Sequence, residues 1–205
     1  HPSGVLCELV NDDATVQRLP QLIEFKAKFG LKMISIAALI EYRAQRDHLV
    51  ECVTEQPFPS EFGAFSLHVV GSKLYQRHHL AFVMGQPDGG PTLVRVHSEN
   101  LLSDVFRAQG MDSHRSLMAS LAAVAKEGRG VVLYMEPANS GEVLVRRLKA
   151  KPGETPPPMD FRDYGIGAQI LAALGLHKIR LLSNSTRKVV GLDGYGLELI
   201  AQVKL

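Results

Sequence analysis

The stretch AKEGRGVVLYM, Ala125 to Met135, changes its periodicity halfway along. Upstream of it, Leu117, Leu121 and Val124 recur at helical spacing, which predicts a helix from about Arg115 to Lys126. Gly128-Arg129-Gly130 then breaks the pattern. Val131 to Met135 follow as a continuous apolar run with no polar alternation, as expected of a strand buried on both faces. A helix, a glycine break and a fully buried strand together point to an α/β arrangement.

Working outward, the pattern continues in both directions. Three strands are expected at Ala64–Val70, His79–Met84 and Thr92–Val96, with the turn QPDGGP between the second and third. Downstream, a helix from about Tyr164 to Leu174, a strand at Ile179–Leu182 and a last strand near Leu197–Val203 complete the set. KAKPGETPPP, Lys149 to Pro158, cannot form a helix or a central strand, and a mobile loop is expected there.

Residues 1–48 read differently. GVLCELV, Gly4 to Val10, is apolar and strand-like, and Asn11-Asp12-Asp13 reads as a turn. Pro20 can open a helix that runs to about Phe29 and stops at Gly30. Ser35 can cap a second helix carrying Ile36, Leu39, Ile40 and Arg43. One strand and two short helices bury little alone, so this piece is expected to pack on other protein. The chain begins His1-Pro2-Ser3 without methionine, which reads as a piece with its upstream part missing. EQPFPSEFG, Glu55 to Gly63, carries two prolines and reads as a boundary. The expected organisation is thus residues 1–48, a linker at 49–61 and a domain at 62–205.

The net charge is only +2 and no block of like charges occurs, which argues against a broad nucleic-acid or membrane-surface footprint. The two cysteines, Cys7 and Cys52, are too few and too far apart for a disulfide scaffold. With no signal peptide and no long apolar run, a cytoplasmic location is expected.

Five motifs occur in order: RVHSE (Arg95–Glu99), AKEGRGVVLY, YGIGAQIL, IRLLSN and GLDGYGLELI. They resemble GTP cyclohydrolase II over about Phe62 to Leu205. Residues 2–43, HPSGVLCELV through EYR, resemble the C-terminal end of 3,4-dihydroxy-2-butanone 4-phosphate synthase, an enzyme often fused ahead of a cyclohydrolase in bacterial riboflavin synthesis. The resemblance implies a zinc-activated water that opens the imidazole ring of GTP, releasing formate and pyrophosphate. It also implies a homodimer, with the upstream synthase as partner in the same polypeptide.

The family's zinc is held by three cysteines: one directly after RVHSE, one further along the loop, and one two residues beyond that. Here those positions are Asn100, Met111 and Ser113. An amide, a thioether and a hydroxyl are neutral and hold zinc weakly beside thiolates. Structural zinc sites are worth roughly 10–16 kcal/mol, and losing all three ligands is expected to remove nearly all of that. No metal or other cofactor is therefore expected in this chain, magnesium being needed only by an intact synthase domain. His97 belongs to the retained motif. His114 lies beside the third lost position, and His78-His79 lie one strand away; as surface or hydrogen-bonded histidines they do not make a three-ligand site.

The phosphate-binding Glu-Gly-Arg of the family falls on Ala138, Asn139 and Ser140, which removes a bidentate arginine contact. The guanine-reading glutamine falls on Ser116 and the active-site tyrosine near Lys151. Retained by resemblance are Asp160 and Arg162 as catalytic positions, and Arg95, His97, Ser98, Glu99, Ser183 and Lys188 as nucleotide-binding positions. Glu8 matches a synthase glutamate near substrate, without the metal-binding partners that enzyme supplies from upstream.

Three functions follow from this pattern. The first is a catalytically degenerate cyclohydrolase-like domain that supports or regulates the attached synthase. The second is a sensor with weak affinity for GTP, GMP or a flavin-pathway ligand. The third is a residual hydrolase or pyrophosphohydrolase acting through Asp160, Arg162 and Lys188.

Overall fold

The computed structural model describes residues 3–44, 46, 47, 49–73, 76–86, 88–149, 161–185 and 191–205, with residues 37, 40, 41, 44 and 161–163 described by their backbone only. It divides into two compact units, His1–Leu39 and Ile40–Leu205.

In the first unit, helix α1 spans Leu19–Phe29 with Pro20 in its opening turn, and it stops at Gly30 in the left-handed conformation at φ 63°. Helix α2, Ile36–Ala44, begins where the Ala38 N–H donates to Ser35 Oγ at 3.0 Å. The apolar run Gly4 to Val10 does not form the expected strand: it contributes only an isolated bridge, Val10 to Val16, across the Asn11–Thr15 turn. Alone in this unit it finds no second strand to complete a ladder, and Val5 and Leu6 are fully exposed.

The second unit is built on a seven-stranded sheet in the order β1-β2-β3-β5-β4-β6-β7. Strands β1 (Val50–Ser60), β2 (Gly63–Ser72) and β3 (Arg77–Met84) form an antiparallel meander. Strand β5 (Gly130–Met135) pairs antiparallel with β3 and parallel with β4 (Thr92–Ser98). Strands β6 (Lys178–Leu182) and β7 (Glu198–Val203) extend the parallel side. Around them lie α3 (Leu101–Asp104), α4 (Ser113–Glu127), α5 (Ser140–Lys149) and α6 (Phe161–Ala173).

The VVLYM run sits at the centre, as its composition predicts. Val131, Leu133 and Met135 pack with Ile166, Ile170 and Leu171 of α6 on one face. Val132 points the other way and packs with Leu117 and Val124 of α4. The centre of the sheet is therefore covered on both faces, while β1 at its edge is exposed along most of its length. Gly130 is required at the start of β5, because a Cβ there would lie 2.7 Å from the Leu93 carbonyl oxygen and 2.9 Å from a Val124 methyl.

Two segments differ from expectation. The linker expected at 49–61 coincides with β1, an outermost strand whose two prolines stand opposite Ser66 and Ala64 of β2. Spaced two apart, their missing N–H groups face the same, unpaired side of the strand, where a sheet tolerates proline. Helix α5, Ser140–Lys149, was not expected, and it begins directly at the aligned phosphate positions Ala138–Ser140. The proline-rich segment 150–158 lies outside the described residues.

Candidate functional site

The parallel strands β4 and β5 end level with each other, which places Glu99 and Glu136 side by side on one rim of the sheet, while β6 on the other side of β4 ends earlier, near Arg95, and leads into Ser183. Carboxyl ends of parallel strands are where open α/β sheets bind ligands. The RVHSE segment lies here because β4 runs out at Ser98.

His97 is 1% exposed and stacks on Tyr134 of β5, with ring centroids 5.4 Å apart. Its Nε2 lies 3.1 Å from Asp104 Oδ2, at the end of α3. The same carboxylate oxygen accepts the Asn100 backbone N–H at 2.8 Å and the Tyr134 hydroxyl at 3.1 Å. Ser113 Oγ stands 3.2 Å from His97 Nε2, and the Asn100 amide donates to Met111 Sδ at 3.9 Å. Asn100, Met111 and Ser113 are thus brought to one place, as the family's ligand positions would be. Their polar atoms are turned to one another and to Asp104 and His97.

That donor set does not fit a zinc ion. The thioether already accepts an amide N–H, the hydroxyl sits on an imidazole, and neither group carries the negative charge of a thiolate. Among the described residues, no three His, Cys, Asp or Glu side chains converge in a metal-ligating group. His114 Nδ1 lies 2.9 Å from the Asp104 carbonyl oxygen, so its ring ties the two ends of the loop together. His78 is exposed, and its backbone N–H donates to Glu136 Oε2. His79 is fully buried and its Nδ1 accepts the Glu136 N–H.

The arrangement also resembles a Ser-His-Asp relay and is not one. In a relay the acid and the nucleophile use opposite ring nitrogens, so that one fixes the proton while the other receives it. Here both Asp104 and Ser113 meet Nε2, and Nδ1 is buried with no partner. A nitrogen that donates to Asp104 cannot also take the Ser113 proton.

The rim is electrostatically unlike a phosphate site. Burial raises the Glu99 carboxyl above its ordinary value, and the nearby Glu136 and Asp104 charges raise it further, against the opposing pull of Arg147. Burial likewise raises the Tyr134 phenol, helped by Asp104 and Glu99. At Asp104, burial pushes upward, but the hydrogen bonds from His97, Ser113 and the Asn100 N–H outweigh it and hold the carboxyl below the usual aspartate range. The family's phosphate arginine falls on Ser140, the first residue of α5, and beside it the Asn139 amide donates to Glu142 in the helix's first turn. An acidic first turn competes with an incoming anion.

The other expected residues are placed as follows. Arg95 is largely buried, donates through Nη1 to the Leu182 carbonyl at 3.0 Å, and has its Nε unpartnered; burial lowers its proton affinity. Ser98 is half-buried. Ser183 Oγ accepts the Ser185 N–H in the turn after β6, and its own N–H donates to Val203. Ser116 lies in the first turn of α4, and its carbonyl accepts from Ser120. Arg162 lies on α6 with only its backbone described, while Lys151, Asp160 and Lys188 lie outside the described residues. Glu8 is exposed in the other unit, outside any strand.

Asp104, Tyr134, Ser103 and Arg147 complete the site without having been expected from sequence. Arg147 reaches from α5 to donate to the Glu99 carbonyl at 3.0 Å. Ser103 is fully buried, donates to the Met111 carbonyl and accepts the His114 N–H.

A seven-stranded mixed sheet flanked by helices defines an α/β domain. A family model for GTP cyclohydrolase II matches residues 51–204, and one for 3,4-dihydroxy-2-butanone 4-phosphate synthase matches residues 1–42. The chain belongs to the GTP cyclohydrolase II family and carries at its start a segment of the synthase family. It is 43% identical over 219 residues to the riboflavin biosynthesis protein RibBA of Bacillus cereus (strain B4264), aligning all of this chain with 55% of that protein. It is 42% identical over 219 residues to RibBA of Aquifex aeolicus, covering 54% of it, and 41% identical over 220 residues to RibBA of Synechocystis sp., covering 40%. The chain thus spans about half the length of these relatives or less. Among solved structures, RibBX from A. baumannii, described as a two-domain 3,4-dihydroxy-2-butanone 4-phosphate synthase, aligns with 97% of this chain and 53% of its own. The TM-score is 0.55 and the identity 28%.

Proposed function

We propose that this chain is the cyclohydrolase II-family part of a riboflavin biosynthesis fusion protein that has lost zinc and GTP ring opening, and that it supports or regulates the attached 3,4-dihydroxy-2-butanone 4-phosphate synthase. The observation that carries the reading is the fate of the ligand positions. Asn100, Met111 and Ser113 still meet in space, but they meet as hydrogen-bonding groups around Asp104 and His97. Ring opening needs a metal-activated water, and these side chains do not supply its ligands. The replaced phosphate segment and the carboxylates along the rim argue in the same direction. A two-domain protein named for the synthase alone, aligned over 97% of the chain, supports assigning the fusion's chemistry to its synthase half.

In this reading the domain works in the cytoplasm within a homodimeric fusion. Among the described residues, no helix is long and apolar enough to cross a membrane. The test compares synthase turnover in the whole fusion protein with a version lacking residues 60–205. A change in turnover or in synthase stability is expected. Identical kinetics and melting would overturn the supporting role.

One observation favours a sensor as second reading. The Arg95 guanidinium is largely buried with its Nε unpartnered, and a ligand that entered beside it would satisfy that donor. Calorimetric titration with GTP, GMP and flavins tests this, and flat traces for all of them would remove it.

A further inference from the structure

We infer that Asp104 is the organising centre of the Asn100–Ser113 loop: in place of a metal cation, this one buried residue gathers contacts from four elements, three onto its carboxylate and one onto its main-chain carbonyl, and sets the loop's shape. This goes beyond the loss of zinc, because it assigns what holds the loop once zinc is gone.

The side chain of Asp104 is 3% exposed and that of His97 is 1% exposed, so the contacts lie out of water. Through Oδ2 the carboxylate holds His97 of β4, Tyr134 of β5 and the backbone of Asn100 at the head of α3. Through its main-chain carbonyl, Asp104 holds His114 in the first turn of α4. One residue therefore joins two sheet strands to both ends of the loop. Ser103 beside it adds a second clasp between Met111 and His114. A zinc–thiolate site gathers anions around a cation; this loop gathers donors around an anion, and the electrostatic sense of the centre is inverted. Asp104 also fixes His97 with its proton on Nε2, since Nδ1 has no partner.

Asp104 acts here as a positioning residue, and the test needs a readout beyond stability. Hydrogen exchange is measured on the full chain as wild type, Asp104→Asn and Tyr134→Phe, with chelator and with added zinc. In the wild type, protection of the amides of residues 100–114 should be the same in both conditions. A protected Nε2–H of His97 should also be visible in nitrogen–proton correlation spectra. Asp104→Asn should lower loop protection by about tenfold or more, while β2 and β3 keep theirs, and the His97 signal should disappear. Tyr134→Phe removes one donor, and a smaller loss in the same amides is expected; it carries the test if Asp104→Asn fails to fold. Unchanged protection in Asp104→Asn, or in Tyr134→Phe where that variant must stand in, would overturn the inference while leaving the loss of ring opening intact. Collapse of the wild-type loop on chelation would overturn both.

Discussion

The centre of the sheet and its rim have been treated oppositely. In β5, every residue from Gly130 to Leu133 is buried, and Val131, Leu133 and Met135 still face α6 while Val132 faces α4. A few ångströms on, where β4 and β5 end, the positions expected to bind metal and phosphate carry other chemistry. Packing is satisfied by any set of apolar side chains of the right volume, whereas a zinc site is satisfied by very few atoms. A domain can therefore keep its fold through changes that end its chemistry.

The largest effect should come from reversing the change at the rim. Asn100→Cys, Met111→Cys and Ser113→Cys together should raise zinc content from near none to about one ion per chain, since such sites are worth roughly 10–16 kcal/mol. Elemental analysis of the purified protein checks this. A triple variant that stays empty would mean that the three positions no longer share one geometry.

The core should respond next. Leu133 is fully buried, and Leu133→Ala should cost about 2–5 kcal/mol in denaturant unfolding. A cost well under about 1 kcal/mol would remove the contrast between a kept centre and a changed rim.

The rim carboxylates give smaller effects of opposite sign. Asp104 lies below its ordinary value of 3.8, so it contributes stability above that value, which is lost as pH falls through its lower folded value. Melting curves of wild type should thus drop more steeply in acid below about pH 4 than those of Asp104→Asn. Glu99 lies above its ordinary value of 4.5, so its charge opposes folding at neutral pH. Glu99→Gln should raise the melting temperature slightly at neutral pH, and this gain should fade as the wild-type residue takes up its proton on acidification. Equal pH profiles for both variants and wild type would mean the rim charges do not interact as placed.

Much of this was legible in the sequence, and the exceptions have physical causes. The period change at Gly128–Gly130 located α4 and β5 because it depends only on local composition. Strand β1 was hidden because Pro57 and Pro59 suppress a strand reading, although an edge strand has one side where a missing N–H costs nothing. Helix α5 was hidden behind the aligned phosphate loop, although Glu142 in its first turn and Arg146, Arg147 and Lys149 in its last are arranged as a helix dipole favours. At the site, the resemblance directed attention to the three lost cysteines, while Asp104 lay four residues past Asn100. That spacing lets a side chain reach back to its own helix start, which was the available signal. Tyr134 was read only as part of an apolar run; its hydroxyl mattered because its strand neighbour is His97.

The central claim is that this rim no longer opens the imidazole ring of GTP. Formate release from GTP by the purified protein, with zinc supplied, measures it directly. The account predicts release at the rate of buffer alone; sustained release above that rate, proportional to protein concentration, would contradict it.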